Sequence, residues 1–236
     1  WSISDNLKLR QLFVTASEYL KKNGQSAIRI IGEEYIKRPD RIFSLLEQTG
    51  LKNIEVILTL RPEIITESSS HFEDALRIAS KNRNRLILCS VGIESFYDKD
   101  LILFNRCLRS KGILKSISEI YRLKEKFSES LVTDRYELFS FIIFHPYTTM
   151  ESIEYNLKMM NATGISRVTK ERFLNRLAAE PYSAIYHLIK KDGLLLKKSR
   201  WKFRDSRVAQ FYQRLDSLNT GFFKTAELLC LLKEYR

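Results

Sequence analysis

The feature that most constrains this chain is a repeated alternation: a short apolar or β-branched run, then a longer segment with helical spacing. Residues 27–31 (AIRII), 53–60 (NIEVILTL), 85–93 (RLILCSVGI) and 137–144 (ELFSFIIF) read as strands, with 172–178 as a weaker fifth. Between them, residues 11–22, 40–48, 71–81, 98–108, 114–127 and 184–191 carry apolar side chains at helical spacing, and a further helix ends near Met160. Leu12, Phe13, Ala16 and Leu20 share one face of the first, and Phe72, Ala75, Leu76 and Ala79 one face of the third. Gly24, Gly50 and Gly193 follow last turns, and Gly112 is expected to separate two helices. Ser68, Ser69 and Ser70 are expected to cap the 71–81 helix, and Thr148 with Thr149 the later one, with Glu151 near its positive end.

Strands alternating with helices of this length imply right-handed βαβ units and a parallel sheet. Five strands are too few to close an eight-stranded barrel. The expectation is therefore an α/β fold, a partial (β/α) TIM-like barrel or open parallel sheet over residues 1–215. Residues 216–236 hold Gly221-Phe222-Phe223 and an apolar helix over 225–235, a short tail or the start of a further domain. With 236 residues, 44% of them hydrophobic, the chain can bury a core of that size. Its start at Trp1 reads as that of a fragment or processed segment.

No apolar run approaches about 18 residues, so no membrane span is expected. Cys89, Cys107 and Cys230 are too scattered for a disulfide scaffold or a compact thiolate metal site, and a reducing cytoplasm fits such usage. His71, His145 and His187 lack a ligand-spaced partner. The net charge is +12, and between residues 165 and 214 there are 13 Lys/Arg against 4 Asp/Glu. A solvated basic face and a surface for an anionic partner are both consistent with that surplus.

Ligands of parallel α/β sheets sit at the carboxyl ends of strands. Those ends read Gly32-Glu33-Glu34, Arg61-Pro62, Gly92-Ile93-Glu94-Ser95, His145-Pro146-Tyr147-Thr148-Thr149 and Ala179-Glu180-Pro181-Tyr182. Carboxylates suit an ammonium or ribose hydroxyls, and arginine suits a carboxylate, so the rim fits a zwitterion bearing a sugar. The competing reading is a set of ordinary polar loops.

Residues 90–111, SVGIESFYDKDLILFNRCLRSK, resemble the radical S-adenosylmethionine (radical SAM) pattern, in which a strand ending Gly-Ile-Glu-Ser leads into a helix; Arg106 stands where lysine is usual. Residues 141–157, FIIFHPYTTMESIEYNL, resemble a later strand-turn-helix of cobalamin-type members. Residues 176–207, with Glu180-Pro181-Tyr182, Lys191-Asp192-Gly193 and Trp201-Lys202-Phe203-Arg204-Asp205, resemble the last barrel strand and the segment after it. The ordered pieces cover most of residues 10–215. The resemblance implies that Gly32, Glu33 and Glu34 grip the methionyl ammonium of S-adenosylmethionine and that Arg61 meets its carboxylate. It implies that Glu94 and Ser95 face the ribose and Pro146 and Tyr147 the adenine. At the rim, Tyr182 is a candidate substrate contact, and His145 is either a substrate contact or a turn-stabilising histidine.

A Cys-x-x-x-Cys-x-x-Cys loop, which in this family holds a four-iron four-sulfur cluster, is missing here and is expected upstream of Trp1. Cobalamin use would depend on a further N-terminal domain. The expected function is the SAM-binding portion of an enzyme making a 5′-deoxyadenosyl radical, inactive by itself. No catalytic residue is singled out, and the substrate, an anionic peptide, RNA or small molecule, stays open. One rival is a degenerate barrel acting as a binding or partner subunit. The other is a basic nucleic-acid-binding module, for which Trp201 between Arg200 and Lys202 is the local aromatic signal.

Overall fold

Apolar runs too short for helices should pair side by side, and in the computed structural model they do. It describes residues 11–235, apart from Leu12, Ser17, Lys21, Gln25, Ile31, Gly32 and residues 197–199. The expected face position Leu12 and the expected ligand Gly32 thus lie outside the described residues. The described residues between 11 and 23 form helix α1. Then come β1 (Ala27–Ile30), α2 (Glu33–Ile36), α3 (Pro39–Gln48), β2 (Glu55–Leu58), α4 (Pro62–Glu67), α5 (Ser69–Lys81), β3 (Arg85–Leu88) and β4 (Val91–Glu94). They lead into α6 (Asp98–Leu103), α7 (Ser110–Lys126), β5 (Leu131–Val132), β6 (Phe139–Phe141), α8 (Met150–Ala162), β7 (Arg167–Thr169) and α9 (Lys170–Phe173). The chain continues through α10 (Ala184–Lys191), α11 (Ser206–Ser217), β8 (Phe222–Lys224), α12 (Thr225–Leu232) and a 3-10 turn, Lys233–Tyr235. Two compact units result, one running to Gly92 and including Lys115–Phe139, the other built from Ile93–Leu114 and the chain from Ser140 onward.

The first unit carries the parallel sheet expected of an α/β chain, in the order β1-β2-β3-β5. Its register sets Ala27 beside Glu55, Glu55 beside Arg85, and Leu86 beside Leu131. Val56, Leu58, Leu86, Ile87 and Leu88 are all buried, so both sheet faces are covered, as parallel sheets require. Helices α3 and α5 pack against each other through Phe43, Leu46, Phe72 and Leu76, all fully buried. At the amino edge of the sheet, buried Glu55 accepts from Arg85 Nη2 at 2.6 Å and also from Arg135.

The run 85–93 is two strands rather than one. Ser90 takes a left-handed backbone (φ 55°), which ends β3 and turns the chain into β4 beside β6. Pro62, read as a strand stop, also begins α4 at the first helical position. The serine run does not cap α5 by side chain: Ser69 Oγ donates to Glu119 instead. Gly112 lies inside α7 rather than between helices, and a Cβ there would meet Leu108 Cδ1 at 2.3 Å.

The second unit adds an aromatic cluster to its aliphatic core. Phe144 is fully buried and meets Phe173, Phe203 and Tyr212 edge-on, with centroids 5.7, 6.1 and 5.0 Å away. Thr149 caps α8 with a reciprocal Ser152 bond, as its sequence predicts. The expected strand 172–178 is absent, because Thr169 caps α9 and turns the chain into a helix; only Arg176 bridges to Phe144. Helix α11 and the antiparallel pair β7-β8 had no strong sequence signal. Helix α12 packs on α8.

Candidate functional site

Because the first unit's strands are parallel and in register through Ile30, Leu58 and Leu88, their carboxyl ends share one edge. Residues 33–34, 59–62 and 89–90 leave the sheet at that edge. Glu33 and Glu34 open α2. Arg61 is exposed and extended (φ −83°, ψ 144°) at the head of α4. Gly92 N donates to Leu60 O at 3.0 Å, so the β4 chain passes along this edge. Cys89 is buried there, with Arg29 Nη2 3.8 Å from its sulfur.

In the second unit, β4 ends on Glu94, whose φ of 65° is a left-handed conformation uncommon for a residue with a side chain. Its carbonyl accepts from Ile142 N at 2.7 Å. The next residue, Ser95, is fully buried and its hydroxyl is engaged: it donates to Asp100 Oδ2 at 2.8 Å and accepts from Asn156 Nδ2 (3.0 Å) and Tyr97 N (3.0 Å). Asn156 Oδ1 accepts from Phe96 N at 2.6 Å, and Asn156 Nδ2 also donates to Ser152 O at 2.9 Å. One asparagine side chain from α8 thus clamps the backbone that carries Glu94.

His145, a candidate substrate contact or turn histidine, is buried in the same polar cluster (1% exposed). Its Nδ1 accepts from Tyr147 N at 3.3 Å, which places the ring proton on Nε2. That Nε2 stands 3.1 Å from Asp100 Oδ1 but off the line of a good hydrogen bond, so the contact is a close polar approach rather than a donated bond. Phe104 closes over the ring edge-on at 5.2 Å. His145 is therefore packed into the turn that carries Tyr147.

Pro146 is buried and Tyr147 half-buried. The Tyr147 hydroxyl donates to Asp192 Oδ2 at 3.1 Å. Burial, helped by that bond, pushes its phenol up to about 12, while Arg204 pulls the other way. Tyr182 is 92% exposed on a left-handed backbone (φ 76°) and is open to a ligand.

Asn156 and Asp100 escaped the sequence reading. The signal was present in α8, where Ile153, Asn156, Leu157 and Met160 form one buried stripe and a lone polar residue interrupts it. Among the described residues no three His, Cys, Asp or Glu side chains group as metal ligands. Cys107 and Cys230 are exposed and Cys89 is buried at a strand end, so these thiols do not fit a cluster site.

No protein-family model matches the sequence, and no curated protein is similar to it. The fold resembles that of the cobalamin-dependent S-adenosylmethionine radical enzyme OxsB, solved with aqua-cobalamin bound. The TM-score is 0.59 at 14% identity, over 90% of this chain and 36% of that one, so the chain spans about a third of the enzyme it matches. The archaeal Methanocaldococcus infernus Elp3, with an N-terminal deletion, aligns over 76% of this chain and 44% of its own at 15% identity, with a TM-score of 0.45.

Proposed function

We propose that this chain is the S-adenosylmethionine-binding portion of a radical SAM enzyme. The reading is supported by the parallel, in-register strands β1, β2 and β3, whose carboxyl ends share the edge at which the acidic pair Glu33-Glu34 and the Arg61 turn leave the sheet. That donor set suits the ammonium and carboxylate of one amino-acid zwitterion. The likeness of the fold to OxsB supports it. Within the second unit, Glu94, whose turn Ser95 holds, is the proposed contact for a ribose, and Pro146 with Tyr147 the proposed contacts for a base. When bound, a four-iron cluster would supply the electron that cleaves SAM to the 5′-deoxyadenosyl radical. Cysteines other than Cys89, Cys107 and Cys230 would have to hold it.

Equilibrium dialysis of labelled SAM against the 236-residue chain tests the reading. Saturable binding is expected, and Arg61→Ala should weaken it about 10- to 100-fold, the worth of a charge-assisted hydrogen bond. No saturable binding, or binding indifferent to Arg61→Ala, would sink it. Anaerobic reconstitution with iron and sulfide should leave this chain without a cluster; if 5′-deoxyadenosine formed, the assignment of the cluster to other cysteines would be wrong.

A further inference from the structure

Residues 200–204 alternate in both chemistry and burial. Arg200, Lys202 and Arg204 are exposed, whereas Trp201 is buried and Phe203 half-buried. This is the period-two pattern of a strand with one face on a core. The backbone is pinned along its length: Leu196 N donates to Arg200 O (2.6 Å), Lys202 N to Leu194 O (3.0 Å) and Arg204 N to Pro146 O (2.9 Å). Trp201 joins a buried cluster with Ala179, Ile189 and Leu194, and its indole N–H donates to Leu177 O at 2.9 Å. Aromatic residues therefore anchor the segment from inside while three cations stand on its outer side.

Arg176 adds a fourth positive group. Its guanidinium lies 3.8 Å over the Trp201 ring, donates to Trp201 O at 2.7 Å, and feels the charge of Arg200. Nearby carboxylates are already engaged: Asp192 by Tyr147 and Asp205 by Arg207 at 2.9 Å. Among the described residues Arg200, Lys202 and Arg204 form no ion pair. Four cations on a rigid backbone without anions are destabilising unless something anionic covers them. The row also has a direction, since Arg204 is hydrogen-bonded to Pro146 and acts on Tyr147.

We propose that Arg176, Arg200, Lys202 and Arg204 form a docking track for single-stranded nucleic acid, running to the Pro146–Tyr147 rim. Arginine forks match phosphate, and exposed Tyr182, in the loop that follows Ala179, offers a face on which a base can stack. Trp201, the aromatic flagged by its sequence neighbours, is the anchor and not the stacking platform. Only the delivery of a nucleotide to that rim rests on the SAM reading; the track itself does not.

The test is fluorescence anisotropy of a labelled mixed-sequence single-stranded RNA, and of the DNA equivalent, titrated with the full chain at several salt concentrations. Three to four phosphate contacts predict a log–log salt slope of about −2 to −3. Arg200→Gln with Lys202→Gln should remove about 1.4 from that slope and weaken binding roughly 25-fold near 0.1 M salt. Both residues lie outside the proposed SAM contacts, so SAM dialysis on the same variant should match wild type. Loss of RNA binding with SAM binding intact supports the track, and RNA binding without any SAM binding would keep the track while removing the SAM reading. No binding at low salt, an unchanged slope in the double variant, or equal competition by polyglutamate of matched charge would overturn the proposal.

Discussion

The two units solve the same problem, burying a core under a basic chain, by different means. The first buries aliphatic strands between helices and neutralises its charges locally. Arg122 and Lys126 close on Glu73 at 2.6 and 2.7 Å, Arg38 on Asp40 at 2.8 Å, and Arg85 on Glu55 at 2.6 Å. The second adds a ring cluster around Phe144 to its aliphatic core, encloses a hydrogen-bonded polar cluster, and among the described residues gives Arg200, Lys202 and Arg204 no ion pair. Both units bury a hydrogen-bonded asparagine, Asn84 in the first and Asn156 in the second, but only the second sets its asparagine against the left-handed Glu94 turn. The contrast teaches where to look for function: the first unit holds its proposed ligand groups at one sheet edge, while the second holds the proposed docking track and the polar cluster behind Glu94.

The strongest way to break this contrast is Phe144→Ala. Losing a fully buried ring that meets three others should cost about 3–5 kcal/mol. Hydrogen exchange should then lose protection in α8 and α11 while β2 and β3 amides keep theirs. Equal loss in both units would mean that they unfold as one body, and the division of labour would be thermodynamically empty. Asn156→Ala comes next. It leaves the Phe96 N–H and Ser95 hydroxyl short of a partner in a buried site, costing about 2–3 kcal/mol, and should release the Glu94 turn. A denaturant melt gives the cost, and a drop in SAM affinity beyond that of an equally destabilised control gives the positioning role. A melt within about 0.5 kcal/mol of wild type would reduce the clamp to ornament.

The first unit's paired charges should show themselves with pH. Hydrogen bonds from Lys126 and Arg122 hold the Glu73 carboxyl below its usual range, and one from Arg122 does the same to Glu119. A depressed carboxyl contributes stability that is fully present above its unfolded value, about 4.3, and is lost as pH falls through the lower folded one. Thermal melts between about pH 5 and 3 should therefore fall more steeply for wild type than for Glu73→Gln. The difference should be about 1 kcal/mol or less and shrink with salt, because the partners are exposed. Identical acid profiles would show that the pairs are surface decoration.

Legibility in the sequence divides along the same line. The period-two and helical patterns of β1, β2, α3 and α5 were readable because aliphatic burial dominates there and local periodicity reports it directly. The split at Ser90 was not, since a left-handed serine is enforced by pairing with Glu137 and Leu138, far along the chain. The 172–178 error has the same origin: a Thr169 side-chain cap outweighed β propensity. At the site, Arg61 and Glu94 sit at strand ends as read, and of the two readings of His145, substrate contact or turn histidine, its burial under Phe104 favours the second. Tertiary burial of a polar side chain leaves almost no local trace.

The smallest predicted effect asks how closed the Tyr147 rim is. Its phenol is pushed up to about 12 first by burial and only second by its bond to Asp192. A raised phenol favours the neutral form in the folded state, so that contribution is present below about 10 and disappears as pH rises through about 12. At neutral pH nothing should change in the melt. Asp192→Asn should lower the titration only part way, read by ultraviolet difference titration against Tyr147→Phe, and Arg204→Gln should raise it slightly. A fall all the way to about 10 in Asp192→Asn would mean that water already reaches the hydroxyl. The second unit's rim would then be as open as the first unit's edge at Arg61, and Tyr147 would contact a ligand through its hydroxyl rather than through the ring face.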